Sequence, residues 1–260
     1  NTSREIIGPD VVAWTIAGEN SFDMDYYGES GGIAGFAFAT QSCNWGDAEA
    51  DWYGGTNDSP IISQNVFRLK DGRFEHIGMQ CFGKHSFCAL SEPGCGDCQA
   101  TNCNTLGIGC ADTYWAGLNA HGEAPRSDIN AFTGEYPYPF SHSSSGPSSI
   151  RGNIQLAEVD IDPSLNEGAR YFVEGQYIST DDAPWGNQMN NASWREIGFN
   201  SVTSAYPMSN DGVAETIVGE PAIRAWAQID SGVRLTELYL PDDGKVIIGA
   251  KVSDNGDGTY

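Results

Sequence analysis

A chain of 260 residues is long enough to bury a full hydrophobic core, as one large β domain or as two small ones. Its 13 Lys and Arg stand against 35 Asp and Glu, and the formal charge of −22 repels phosphate backbones and anionic lipid head groups, which excludes nucleic acid as an expected partner. A hydrophobic content of 40%, with 11 Phe, 11 Tyr and 7 Trp, excludes disorder. No run of about 18 apolar residues offers a membrane span.

The chain opens at Asn1 with no basic-then-apolar leader, as expected of a protein whose secretory signal has been removed. Residues 11–17 and 33–40 read as buried strands, whereas Arg170–Ile178 and 233–240 alternate apolar and polar side chains and are expected to keep one wet face. Two turns carry more information. Asp71-Gly72 separates 61–70 from 73–80, and Asp243-Gly244 separates 233–240 from 245–252. Asp-Gly accepts the positive φ angles of tight hairpins, so each pair is expected to be antiparallel neighbours. No segment holds a 3.6-residue period long enough for a substantial helix. The fold class is therefore all-β, an antiparallel β-sandwich-like architecture with disulfide-stapled loops in the first half.

All seven cysteines fall between positions 43 and 110, a local cluster that points to disulfides and an oxidising compartment. The odd count leaves at least one thiol unpaired within the chain. The CxxC of Cys95 and Cys98, followed by Cys103 and Cys110, has the count of a thiolate zinc site but not the second knuckle, so disulfides are favoured there. Three stretches interrupt the strands. Residues 92–109 are rich in Gly and Cys, residues 141–149 read SHSSSGPSS, and residues 179–194 are crowded with Asp, Asn and Gln. The middle one is a linker or a long loop, separating a cysteine-containing β region (1–140) from a second β region (150–260). Residues 245–252 read as a strand, 253–258 as a turn, and Thr259-Tyr260 as the start of a returning strand. The remainder of the same polypeptide or another chain is expected to complete that sheet.

The motifs GPDVV, SCNWGD, SQNVFRLKDGRFEHIG, KHSFCAL, LGIGCADTYWAGLN, TGEYPYPF, DIDPSLNEGARYFVEGQYISTDDAPWGNQMNNASWR and AKVSDNGDGTY, in this order, resemble a family of secreted proteins abundant in planctomycetes and marine bacteria. The resemblance covers nearly the whole chain. It implies secretion and further β structure after Tyr260, and it brings no reaction or substrate. The chain departs from the family pattern at residues 80–83, where members carry a Trp.

Four constellations carry possible chemistry. His76, Cys81, Lys84, His85 and Cys88 follow the first hairpin, and imidazole with thiolate suits copper or zinc, with His85 the first ligand and His76 the second. That spacing matches no established metal motif, and a Cys81–Cys88 disulfide that leaves His85 an ordinary polar residue is the favoured reading. Asp160 and Asp162, with Asn166 and Glu167, offer hard oxygens to calcium, and residues 255–258 resemble part of a calcium loop. Tyr114, Trp115, Trp185 and Trp194 lie beside polar loops, where exposed rings can stack on glycans or fill a partner's pocket. No nucleophile elbow is present, and 35 acidic residues give too many carboxylate pairs to single one out. The leading expectation is a non-catalytic, extracytoplasmic surface or matrix protein that binds a polymer or a partner subunit. The alternative is a secreted copper oxidoreductase with His85 in the metal shell.

Overall fold

The computed structural model describes residues 6–18, 21–84, 92–93, 95–99, 102–208 and 215–252. Every strand pairing in it is antiparallel. The largest sheet has six strands. Five of them run in the order Ser204–Pro207, Ala192–Ser201, Arg170–Ile178, Ile61–Lys70, Arg73–Met79, and the short Gly83–Lys84 strand adds to the start of Ile61–Lys70. A second sheet joins Val11–Ile16, Thr40–Asn44, Cys110–Tyr114 and Glu92–Pro93, and a third joins Ile154–Ala157, Ile33–Phe38 and Met24–Ser30. Strands from both sides of residues 141–149 thus share sheets, and the Ser149 hydroxyl donates to the Glu29 carbonyl within that arrangement.

The inner face of the six-stranded sheet and the two smaller sheets share one core. Val66, Tyr171, Val173, Ile197 and Phe199 from the large sheet meet Val11 and Ile16 on one side and Phe36, Phe38, Ile154 and Leu156 on the other. Removing these side chains from water supplies most of the drive for this packing, at about 25 cal/mol per Å² of apolar surface. Arg195 also points inward. Its Nη1 donates to the carbonyls of Ile16, Ala17 and Gly18 at 2.9–3.1 Å, so three backbone acceptors at the end of a strand are satisfied by one buried guanidinium.

Both expected hairpins form, the first at its Asp-Gly turn and the second one residue early: residues 241–243 make its turn, with Asp242 at φ 62°, and Gly244 is already paired with Leu240. Asp71 (φ 51°) and Gly72 (φ 76°) adopt the positive angles of a tight turn between Ile61–Lys70 and Arg73–Met79. Arg234–Leu240 and Gly244–Ala250 pair with each other as a two-stranded sheet, and among the described residues neither has another strand partner. A helix at Ile223–Ile229 holds this second hairpin against the large sheet. Arg224 pairs with Glu237, Lys251 reaches Asp230 at 2.6 Å, and Trp226 and Ile223 lie against Gly249.

Neither strand expected to keep a single wet face does so: Arg234–Leu240 is exposed on both faces. Arg170–Ile178 has no wet face, because its outer side is covered by the helix, the second hairpin and the loop around residues 124–140. Leu69, Phe172, Trp194, Ala222 and Ala225 make one outer cluster, and Ile61, Phe82, Tyr136 and Ile178 make another.

The cysteine region is stapled as its spacing suggests, by Cys43–Cys95 and Cys98–Cys110, and Cys103 is disulfide-bonded as well. The Cys81–Cys88 bridge is overturned, because Cys81 is a free thiol. Burial pushes the Cys81 thiol up, opposed by the nearby Arg126 charge, which leaves little thiolate at neutral pH. Alkylation of the native, unreduced protein is expected to label Cys81, slowly at neutral pH and faster as the pH is raised, with peptide mapping as the readout. Modification already fast at neutral pH would show a thiolate stabilised by its surroundings.

Candidate binding groove

The outer face of the large sheet alternates aromatic and polar residues. Glu174 lies opposite Asn65 on one neighbouring strand and Trp194 on the other, Phe172 lies opposite Phe67, and Gln176 lies opposite Ser63 and Ala192. The two outer clusters leave a polar seam between them. Asn65 is the centre of that seam. Its amide donates to Glu174 Oε1 at 2.8 Å, while its Oδ1 accepts Arg126 Nη2 at 2.7 Å and faces His76 Nε2 at 3.1 Å. The second Glu174 oxygen accepts the Ala222 N–H at 2.7 Å. Burial raises Glu174, against the lowering effects of the Ala222 N–H, Asn65 and Arg126.

Glu174 and Gln176 form the floor of a cavity of about 330 Å³, walled by Phe67, Gln188, Met189 and Ile223 and by the second hairpin through Asp243, Lys245 and Ile247. A further cavity of about 510 Å³ lies beside it, bounded by Ile7, Asp10, Trp185, Asn187 and Asn190. Met189 and Lys245 line both, so the two spaces are neighbours along one surface. Lys245 Nζ donates to the Met189 carbonyl at 2.9 Å, a bridge between the hairpin and the 188–190 turn that divides them.

The wall of the second cavity is the segment read from sequence as rich in Asp, Asn and Gln. It folds into two single-turn 3-10 helices, Ala183–Trp185 and Gln188–Asn190, and grips the chain before the first strand. Asn187 donates to the Ile7 and Pro9 carbonyls at 3.0 and 2.8 Å, and Asn190 donates to Asp10 at 3.1 Å. Trp185 is 55% exposed, and its indole lies over Gly8, where any Cβ would overlap the ring. Gly8 also has φ +83°, so both its space and its backbone angle suit glycine. Burial pushes Asp182 up to about 7 and raises Asp10 as well.

The other residues singled out from sequence are dispersed. Trp115 is exposed but lines neither cavity, and Tyr114 and Trp194 pack inside the protein, Trp194 edge-on to Phe172. His76 stacks on Phe67 at 4.7 Å, and burial, reinforced by the Arg126 charge, lowers its pKa. His85 and residues 253–260 lie outside the described residues. Asp160 Oδ1 accepts Arg68, Asp162 Oδ1 accepts the Ser164 N–H and hydroxyl, and Asn166 Oδ1 accepts Arg68 and Lys70. Glu167 is exposed. The cations beside Asp160 and Asn166 are thus the protein's own. Among the described residues, no group of three His, Cys, Asp or Glu is placed to hold a metal ion.

Sequence reasoning missed Glu174, Gln176, Asp10 and Lys245. The lone carboxylate in RYFVEGQYI, set between the apolar and aromatic Tyr171, Phe172, Val173, Tyr177 and Ile178, was the available signal for the first. No helix among the described residues is long and apolar enough to cross a membrane. Neither a scan against protein-family models nor a search of curated proteins finds a match to this chain.

Proposed function

We propose that this is an extracytoplasmic, non-catalytic protein that binds a neutral glycan polymer along the groove between Trp185 and Glu174. The observation that carries the reading is Trp185, whose largely exposed indole is propped on Gly8 at one end of two adjoining cavities lined by amides and carboxylates. Sugar rings present C–H faces that stack on indole and hydroxyls that pair with amide and carboxylate groups, which offer both donors and acceptors. The net charge of −22 disfavours anionic polymers at any distance within a Debye length, so neutral chains are the better match. Disulfides across the first half support work in an oxidising compartment.

The test is titration of the intact chain with a panel of neutral hexasaccharides, with Trp185→Ala and Trp115→Ala beside the parent. A central tryptophan anchor contributes about 2 kcal/mol or more, so Trp185→Ala is expected to weaken binding about thirtyfold while Trp115→Ala changes little. Equal affinity of parent and Trp185→Ala, or no binding across the panel, would remove this reading.

A further inference from the structure

The chain before the first strand meets the 182–191 segment through carboxylates that have no cationic partner among the described residues. Asp10 is 1% exposed and Asp182 is 0% exposed. One oxygen of each is satisfied. Asp10 Oδ2 accepts the Asn190 amide at 3.1 Å, and Asp182 Oδ2 accepts the Asn191 amide at 2.8 Å and the Val11 N–H at 3.4 Å. The other oxygen of each, Oδ1, is buried without a donor, and so are Oδ1 of Asn190 and Oδ1 of Asn191. The two carboxylates are near neighbours, since the N–H that follows Asp10 in the chain is the one that Asp182 receives, and their charges repel. Neither forms an ion pair among the described residues.

Buried carboxylates are normally paired, hydrogen-bonded on both oxygens, or bound to metal. The unanswered atoms here are all oxygens, two of them carboxylate and two amide. That set suits a hard cation and lacks the imidazole or thiolate that zinc and copper prefer. We propose that Asp10, Asp182, Asn190 and Asn191 form a calcium site. Calcium takes six to eight oxygens in flexible geometry, and the shell is completed by water from the 510 Å³ cavity that Asp10 and Asn190 line. The ion joins residues 10–11 to the 182–191 segment and so fixes the turn that carries Trp185. This inference does not depend on the glycan reading, and its test contains no glycan.

The experiment is equilibrium dialysis of the intact chain against calcium after treatment with EDTA, at about 0.15 M ionic strength to screen loose binding to the acidic surface. One saturable calcium per chain is expected, together with a calcium-dependent rise in the midpoint of thermal unfolding. Asp182→Asn and Asp10→Asn keep the shape of the side chain and remove its unpaired charge, so both are expected to fold without calcium. Each is expected to lose at least about tenfold in affinity along with the thermal response. Absence of saturable uptake by the parent overturns the proposal. So does undiminished uptake by whichever of the two variants retains the parent's near-ultraviolet circular dichroism.

Discussion

Removing the Cys43–Cys95 bridge, as Cys43→Ala with Cys95→Ala, is expected to cost about 4 kcal/mol of stability, more than removing Cys98–Cys110, which is expected to cost about 3 kcal/mol. The two bonds span sequence separations of 52 and 12 residues, and the loop-closure entropy withheld from the unfolded chain grows with the logarithm of that span. The longer bridge also ties a central strand, Thr40–Asn44, to the loop that follows Glu92–Pro93, which contributes only a two-residue strand to the same sheet. That loop therefore depends on the cross-link more than on its own ladder. Urea unfolding of the two double variants beside the parent measures both effects. A smaller loss for the 43–95 variant than for the 98–110 variant would show that native packing, and not chain entropy, sets the contribution of these bonds.

What was legible in the sequence follows from how local each cause is. The Asp71-Gly72 hairpin is written in two adjacent residues that accept positive φ, and the structure places strands on both sides of it as read. Residues 33–40 read as one buried strand, but the chain leaves the third sheet at Phe38 and joins the second at Thr40. An apolar run gives no sign of such a switch, because both sheets bury it equally. The helix at Ile223–Ile229 is seven residues long, too short for a period to stand out, and it is held by packing against Phe172 and Trp194. The candidate groove is the least local feature of all. The Asn-rich stretch was visible as a polar loop, but its contacts with residues 7–10 span 178 to 180 positions and depend on the sheet order. Glu174 was visible as a carboxylate in an apolar strand. Its partners Asn65 and Arg126 lie on other elements that only the fold brings to it.

Those partners set the second large effect. Arg126→Met is expected to cost about 3–5 kcal/mol at neutral pH, the usual result of removing one member of a buried charged network and leaving the other. The Arg126 guanidinium donates to the carbonyls of Gln80 and Gln64 at 3.1 and 3.0 Å and to Asn65 Oδ1, through which it faces Glu174. Without it, three acceptors lose a donor and the Glu174 charge loses the one cation among the causes that lower its pKa. The sign of the pH dependence follows from Glu174. Burial holds its pKa in the folded state above the unfolded value, so the fold favours the protonated carboxyl. That contribution is fully present below the unfolded pKa and is lost as the pH rises through the folded one. Loss of Arg126 moves the folded pKa further up, which widens the pH range in which the native state binds the extra proton. The deficit of Arg126→Met relative to the parent should therefore shrink as the pH is lowered from about 8 towards about 4, where Glu174 is neutral and needs no counter-charge. Combining Arg126→Met with Glu174→Gln should remove the part of the pH dependence that belongs to Glu174 and leave only that of His76, whose pKa the Arg126 charge also lowers, although the Ala222 N–H then faces an amide. Stability measured by urea titration at several pH values decides the matter. A deficit of Arg126→Met that is the same at both ends of the range would show that Arg126 serves the carbonyls of residues 64 and 80, and that the amide contacts of Glu174 suffice to hold its charge.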